Sequence, residues 1–303
     1  MDNMQKGILF SMCFSYRICF RPIIVNANMV LIKQIFLIVI CLSGITTQLY
    51  AQKLITEANY LKEDSILWGK FEKQQNILSR DWDDMPDKRD SIRGVFNEIL
   101  TKVSKNNIEL AIKYASVPSG LKRLYMTRLN IPKDTLENIL NSLDAEMQQS
   151  FYGKNIREHL LTRQIQEGDT IYVFTCVQTD GKEFDWKITK DKQLLILYGG
   201  LGCMGKKGRE ELELLYNQTS ANDFLILVYW PCSSLMNLQK IKEDYPCEYI
   251  FISDFKQDSS PMKIKYGTQA TPTCFLTDKQ HIVKVKCTGL HMEKFNKYIN
   301  RTK

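Results

Sequence analysis

Two hydrophobic periods divide this chain. From residue 53 to about 165 the sequence is dense in Lys, Glu, Asp, Gln and Leu; glycine is rare, and Pro86, Pro118 and Pro132 punctuate it. Apolar residues recur there at helical spacing, as from Thr135 through Leu136, Ile139 and Leu140 to Met147, with Pro132 and Asp134 marking the start of that helix. Ser150 to Lys154 is predicted as a turn before a further helix through Ile156, Leu160 and Leu161. Beyond about 166 the period changes. Short apolar runs at 194–198, 224–230 and 249–253 have the length of buried strands, and they alternate with stretches predicted as helices over 203–217 and 233–243. That β-α-β-α-β order implies a parallel sheet packed by helices. A hairpin follows, with strands at 273–276 and 282–286 around a turn at Asp278-Lys279-Gln280, and a final helix comes after Gly289. A tight turn there sets Cys274 opposite Lys284 rather than Cys287, which makes both cysteines free core residues.

The first 51 residues stand apart from both periods. From Met29 they read MVLIKQIFLIVICLSGITTQLYAQ, with Lys33 as the charge, an apolar stretch from Ile35 to Ile45, and Leu49-Tyr50-Ala51 before Gln52 as a cleavage site. The apolar stretch is about 11 residues, whereas a spanning helix needs ~20. A cleaved secretory signal is therefore expected, with membrane attachment only if it stays uncleaved. The preceding 28 residues fit an over-extended start, since Met29 opens the cleaner signal. Cys41 as a lipidation site is disfavoured by Ile40, where a small residue is expected.

Charge and cysteine usage narrow the chemistry. The net charge is +7, and residues 1–51 hold four of the 41 basic and one of the 34 acidic residues, leaving about +4 for the remainder. No block of Lys and Arg stands out, so nucleic acid is not an expected partner. Six of the nine cysteines lie beyond the signal: Cys176, Cys203, Cys232, Cys247, Cys274 and Cys287. None has metal-type C-x-x-C spacing and histidine is scarce, so no metal and no cofactor is expected. Cys176 and Cys247 carry no readable role.

The stretch that combines these signals is LLILYGGLGCMGKKGREELELLY, Leu194 to Tyr216. A buried strand ends at Gly199 and Gly200, and Cys203 then precedes a run with Leu212, Leu215 and Tyr216 on one helical face. Backbone amides and the macrodipole at a helix N-terminus favour an anion, the setting in which a cysteine reacts as its thiolate. Strand, tight turn, cysteine and charged helix in this order resemble the active-site segment of thioredoxin-like proteins. The resemblance is closest to the thiol–disulfide oxidoreductases of the bacterial cell envelope (TlpA/ResA-like, AhpC/TSA superfamily). Their W-C-x-x-C motif reads here Gly202, Cys203, Met204, Gly205, Lys206, so the first cysteine is kept and the resolving cysteine is lysine. Gly168, Phe174 and the Asp180-Gly181-Lys182 turn are similar to the segment that opens such domains, although its A-P pair is Ile171 and Tyr172. Thr271-Pro272 matches the family's proline loop, which implies a cis bond packed against the cysteine and a backbone surface for substrate.

The resemblance implies an α/β thioredoxin-like fold, a central mixed sheet flanked by helices, preceded by an all-α domain. The expected division is a signal region at 1–51, a helical domain at 52–165 that serves as scaffold or docking surface, and a thioredoxin-like domain at 166–303. Cys203, Lys206 and Cys232 are the candidate catalytic residues, with Thr271 and Pro272 binding substrate. Lys206 cannot form a disulfide; it either favours the Cys203 anion or is a solvated residue of the first turn. Cys232 follows the strand parallel to the one feeding Cys203, and the shared sheet edge admits a Cys203–Cys232 pair, though a plain loop cysteine is the simpler account. Three functions compete: an exported oxidoreductase-like protein acting on protein thiols and disulfides of the periplasm or cell envelope, a redox-inactive binding module there, and a thiol peroxidase. The last is weakest, because the P-x-x-x-T-x-x-C pattern is Ile196 and Gly200 at its proline and threonine positions.

Overall fold

The computed structural model describes residues 55–299. The segment expected to be a signal, with its Ala51–Gln52 junction and Cys13, Cys19 and Cys41, lies outside the described residues. Among the described residues, no helix is long and apolar enough to cross a membrane.

The described residues begin with six α-helices: α1 (Glu57–Asp84), α2 (Arg89–Lys113), α3 (Pro118–Thr127), α4 (Lys133–Ser142), α5 (Ala145–Gln149) and α6 (Phe151–Leu161). Pro86 breaks the path between α1 and α2, and Pro118 takes the first position of α3, where its missing N–H costs nothing. A small cluster of Tyr60, Leu110, Tyr114 and Val117 ties α1 to the end of α2. A larger core gathers Leu121, Leu124, Tyr125, Leu136, Leu140 and Ile156 from α3, α4 and α6.

Two sequence expectations change here, both through capping. The single helix through Met147 breaks at Leu143, because the Asp144 carboxylate accepts from the Met147 amide at 2.8 Å and opens α5. The turn expected at 150–154 is instead the first turn of α6: the Ser150 hydroxyl accepts from the Gly153 amide at 3.2 Å. Short polar side chains that satisfy orphan helix donors set new helix starts, and they override apolar periodicity running through them.

The second region is a six-stranded sheet with β1 (Val177–Gln178), β2 (Gln193–Tyr198), β3 (Phe224–Tyr229), β4 (Ile250–Ser253), β5 (Thr273–Thr277) and β6 (Val283–Thr288), in the order β1-β4-β3-β2-β5-β6. β2, β3 and β4 are parallel, connected through α7 (Gly205–Asn217) and α8 (Leu235–Asp244). β1, β5 and β6 run antiparallel to their neighbours. This mixed sheet, with its β-α-β-α-β core and closing hairpin, has a thioredoxin-like fold, and the helical region precedes it. Short α9 (Pro261–Ile264) lies before β5 and α10 (Met292–Phe295) after β6.

Alternation along each strand divides the sheet into two packed faces. Leu195, Leu197, Ile226 and Val228 meet Leu212 and Leu215 of α7, Leu238 of α8 and Phe295 of α10. Leu194, Ile196, Leu227 and Tyr229 meet Phe184, Met262 and Tyr266 on the opposite face. Because both faces are covered, the central strands are apolar at nearly every position rather than alternating.

The hairpin register corrects the sequence reading. Cys274 is paired with Cys287, not with Lys284. The turn is longer than expected: Asp278 donates its amide to the Ile282 carbonyl, and its carboxylate accepts from the Gln280 and Ile282 amides at 3.0 and 2.9 Å. A bulge between Leu276 and Thr277 on the strand pairing then leaves Lys284 without an opposite residue. Together these changes bring the two cysteines to the same position along the ladder.

The helical region sits on the sheet region through buried polar contacts and Ile264, which joins the helical core. Arg128, fully buried just after α3, donates to the Tyr125 and Lys263 carbonyls at 2.8 and 2.7 Å and to the Gln269 side chain at 2.7 Å. Tyr125 donates to the Asp258 carbonyl, and Tyr152 of α6 to the Asp258 carboxylate at 3.1 Å.

Candidate functional site

β2 delivers the chain to the sheet edge at Tyr198, where two glycines turn it towards Cys203. Gly200 has a φ of 87°, and a Cβ built on it would lie 2.4 Å from the Pro272 nitrogen and 2.5 Å from its Cβ. Only glycine meets both demands, a left-handed backbone and contact with a neighbouring loop. The loop it receives is Ala270–Thr273, whose Thr271–Pro272 peptide bond is cis. The Thr273 hydroxyl donates to the Ala270 carbonyl at 2.6 Å, and the Gly289 amide donates to the Pro272 carbonyl at 2.8 Å.

Cys203 and Thr271 therefore face each other. Cys203 Sγ lies 3.6 Å from Thr271 Oγ1, and both side chains are exposed, while Pro272 is buried behind them. The helix begins two residues later than its apolar period indicates. Gly205, the first residue of α7, has a φ of 66°, a left-handed conformation through which the helix cannot extend back, so Cys203 occupies the turn before α7 rather than its first turn. Lys206 is in the first turn of α7, 86% exposed, with its ammonium 3.7 Å from the Glu210 carboxylate. Its charge is thus directed along the helix, in a solvated pair of the kind worth little energetically.

Cys232 reaches the same sheet edge but turns inward. It is buried, and its thiol lies 3.5 Å from both the Ser234 carbonyl and the Ser253 hydroxyl of β4. Its thiol and that of Cys203 are both free. Cys176 is buried behind the opposite face, where desolvation, helped by Asp254 and Glu183, pushes its thiol up to about 12. Burial also raises the Cys247 thiol. Among the free cysteines of the described residues, Cys203 alone is exposed.

A cleft of about 550 Å³ runs along the flank of α7, lined by Arg209, Glu213, Tyr216, Tyr245 and Cys247 among others, and stops short of Cys203. Among the described residues, no group of three or more His, Cys, Asp or Glu is placed to hold a metal ion. Sequence reasoning missed the Arg128–Gln269 contact, which supports the loop carrying Thr271 and Pro272 from below. An arginine near the end of a helix gives no sign of being buried; two of its partners, Lys263 and Gln269, are more than a hundred residues away.

No protein-family model matches the chain, and no curated protein does. Solved structures give likenesses to the sheet region. The thioredoxin domain of a thiol-disulfide oxidoreductase from Bacteroides vulgatus is 18% identical over 44% of this chain and 96% of its own, with a TM-score of 0.39. A thiol-disulfide oxidoreductase from Bacteroides fragilis is 13% identical over 44% of this chain and 96% of its own, with a TM-score of 0.36. A thiol peroxidase from Chromobacterium violaceum is 12% identical over 45% of this chain and 86% of its own, also with a TM-score of 0.36. Strand order and register, rather than these likenesses, define the fold.

Proposed function

We propose that this chain is an exported thiol–disulfide exchange protein of the cell envelope that works through one nucleophile, Cys203. The observation carrying this reading is the placement of the exposed Cys203 thiol 3.6 Å from Thr271, where α7 and the proline loop meet. The Cys203 thiolate attacks one sulfur of a partner's disulfide, forming a Cys203–partner bond and expelling the partner's other sulfur as a thiolate that takes up a proton. Thr271 presents the surface along which the partner's backbone lies, and the buried Pro272 sets the course of that loop. In a two-cysteine site the second thiol would then displace the partner; Lys206 cannot, so release needs an external thiol.

The test compares trapping with turnover. Wild-type protein is expected to accumulate mixed disulfides with a disulfide-containing partner, lost in Cys203→Ser, yet to reduce insulin only very slowly with dithiothreitol as electron donor. Lys206→Cys is expected to raise that turnover at least tenfold. Brisk wild-type turnover abolished by Cys232→Ser would mean that Cys232 swings out to act as the resolving thiol, and that the single-nucleophile reading is wrong. The placement of Lys206 against Glu210, in a solvated pair, favours one second reading, a redox-inactive binding module. Absence of any Cys203 mixed disulfide would select it.

A further inference from the structure

β5 and β6 bring two other cysteines together. Cys274 and Cys287 are directly opposite in an antiparallel ladder, and both side chains enter the face covered by α7 and α10. Their sulfurs converge on one acceptor, the Gly289 carbonyl, at 3.3 Å from Cys274 and 3.5 Å from Cys287. Directly opposite residues in antiparallel strands have Cα atoms about 4.5–5.5 Å apart, whichever class of pair they form. A disulfide requires about 4.4–6.8 Å. The backbone of the hairpin thus already holds the spacing a cross-strand bridge needs.

We propose that Cys274 and Cys287 are a second redox-active dithiol, which closes to a cross-strand disulfide on reaction with a small-molecule disulfide such as oxidised glutathione. Cys287 is the sulfur that reacts first, being 8% exposed where Cys274 is fully enclosed. It attacks the small disulfide, forming a mixed disulfide and releasing one small thiolate. Cys274 then attacks the Cys287 sulfur, closing the Cys274–Cys287 bond and releasing the second. The protein loses two electrons and the two thiol protons, and the small disulfide becomes two thiols. The neighbouring thiol lowers the Cys287 thiol and raises that of Cys274, in keeping with this order of attack. The pair is separate from Cys203 but not remote from its loop: Cys274 is two residues past Pro272, and Gly289, two past Cys287, donates to the Pro272 carbonyl.

The experiment uses the full chain and its Cys203→Ser variant. Folded protein is equilibrated in glutathione buffers of graded ratio, acid-quenched, labelled with N-ethylmaleimide in denaturant and digested with trypsin without reduction. Cleavage after the flanking lysines puts Cys274 in peptide 266–279 and Cys287 in peptide 287–294. A linked 266–279/287–294 species, two hydrogens lighter than the sum, is expected to rise from near zero to the majority form with oxidised glutathione. It should do so equally in Cys203→Ser and vanish with dithiothreitol. The proposal is overturned if both peptides remain labelled at every ratio, if the cysteines are found only linked to glutathione or to Cys203, or if the link forms only in urea-unfolded protein.

Discussion

One methyl group is enough to disturb the site. A Cβ at Gly200 would press on the Pro272 backbone at 2.4 Å, which a flexible side chain could evade but a ring nitrogen cannot. The left-handed backbone adds about 1–2 kcal/mol, and overpacking typically a further ~1–3 kcal/mol. Gly200→Ala is therefore expected to lower stability by roughly 2–5 kcal/mol in urea unfolding. Gly69→Ala makes the control: it lies within α1 with nothing inside 4 Å of a built Cβ, and should gain about 0.5–1 kcal/mol. Equal midpoints for Gly200→Ala and wild type would show that the loop does not press on β2. At this scale much of the site was legible. Glycines that end a strand and a proline that starts one mark where the backbone must turn, and these marks frame Cys203, Thr271 and Pro272. The direction of the Cys232 thiol was not legible. Strand order says which edge a residue reaches; the turn after it, closed here by the Cys232 amide on the Trp230 carbonyl, decides where the side chain goes.

Among the elements, α6 shows two effects of opposite sign on one histidine. His159 lies in its last turn, where the helix dipole favours a cation by typically 0.3–1 kcal/mol. Burial wins: it and the nearby Arg128 and Lys133 hold the imidazole down at about 3. The Gln164 amide nitrogen lies 3.1 Å from Nδ1 and within reach of the His159, Thr162 and Ile264 carbonyls, which closes the imidazole in. In the unfolded chain the same histidine titrates near 6.5. Between those values the unfolded state binds the extra proton, so this contribution is fully present above about pH 6.5 and fades as pH falls towards 3. Urea midpoints measured across that range should decline in wild type and decline less in His159→Gln; parallel slopes would remove His159 from the acid limb. Alternating strands and helices of the sheet region were legible because covered sheets make long apolar runs. The α4–α5 break and the hairpin register were not, since each depends on one Asp carboxylate capturing backbone amides rather than on periodicity.

The whole molecule turns on how its helical region meets the sheet region. The junction contains Arg128, with no exposed surface, spanning from Tyr125 of α3 to the Lys263 carbonyl and Gln269, and its guanidinium lies 4.0 Å from the Tyr125 ring centroid. Hydrogen bonds with a charged partner contribute about 1.5–3 kcal/mol each, and removing that partner leaves buried carbonyls unsatisfied. Arg128→Met keeps much of the volume but none of these bonds, and is expected to cost roughly 3 kcal/mol or more. A purely local cost would end there. Gln269, however, is two residues before Thr271, so loss of the guanidinium also frees the loop that faces Cys203. The expected signature is therefore double: a lower urea midpoint, and a changed rate of Cys203 alkylation under native conditions where the protein is still folded. Arg128→Lys, which keeps the charge but not the fork that reaches three acceptors at once, should recover little of either. If Arg128→Met is destabilised while Cys203 alkylates at the wild-type rate, the helical region is a stabilising scaffold alone. If both change together, it takes part in setting the site.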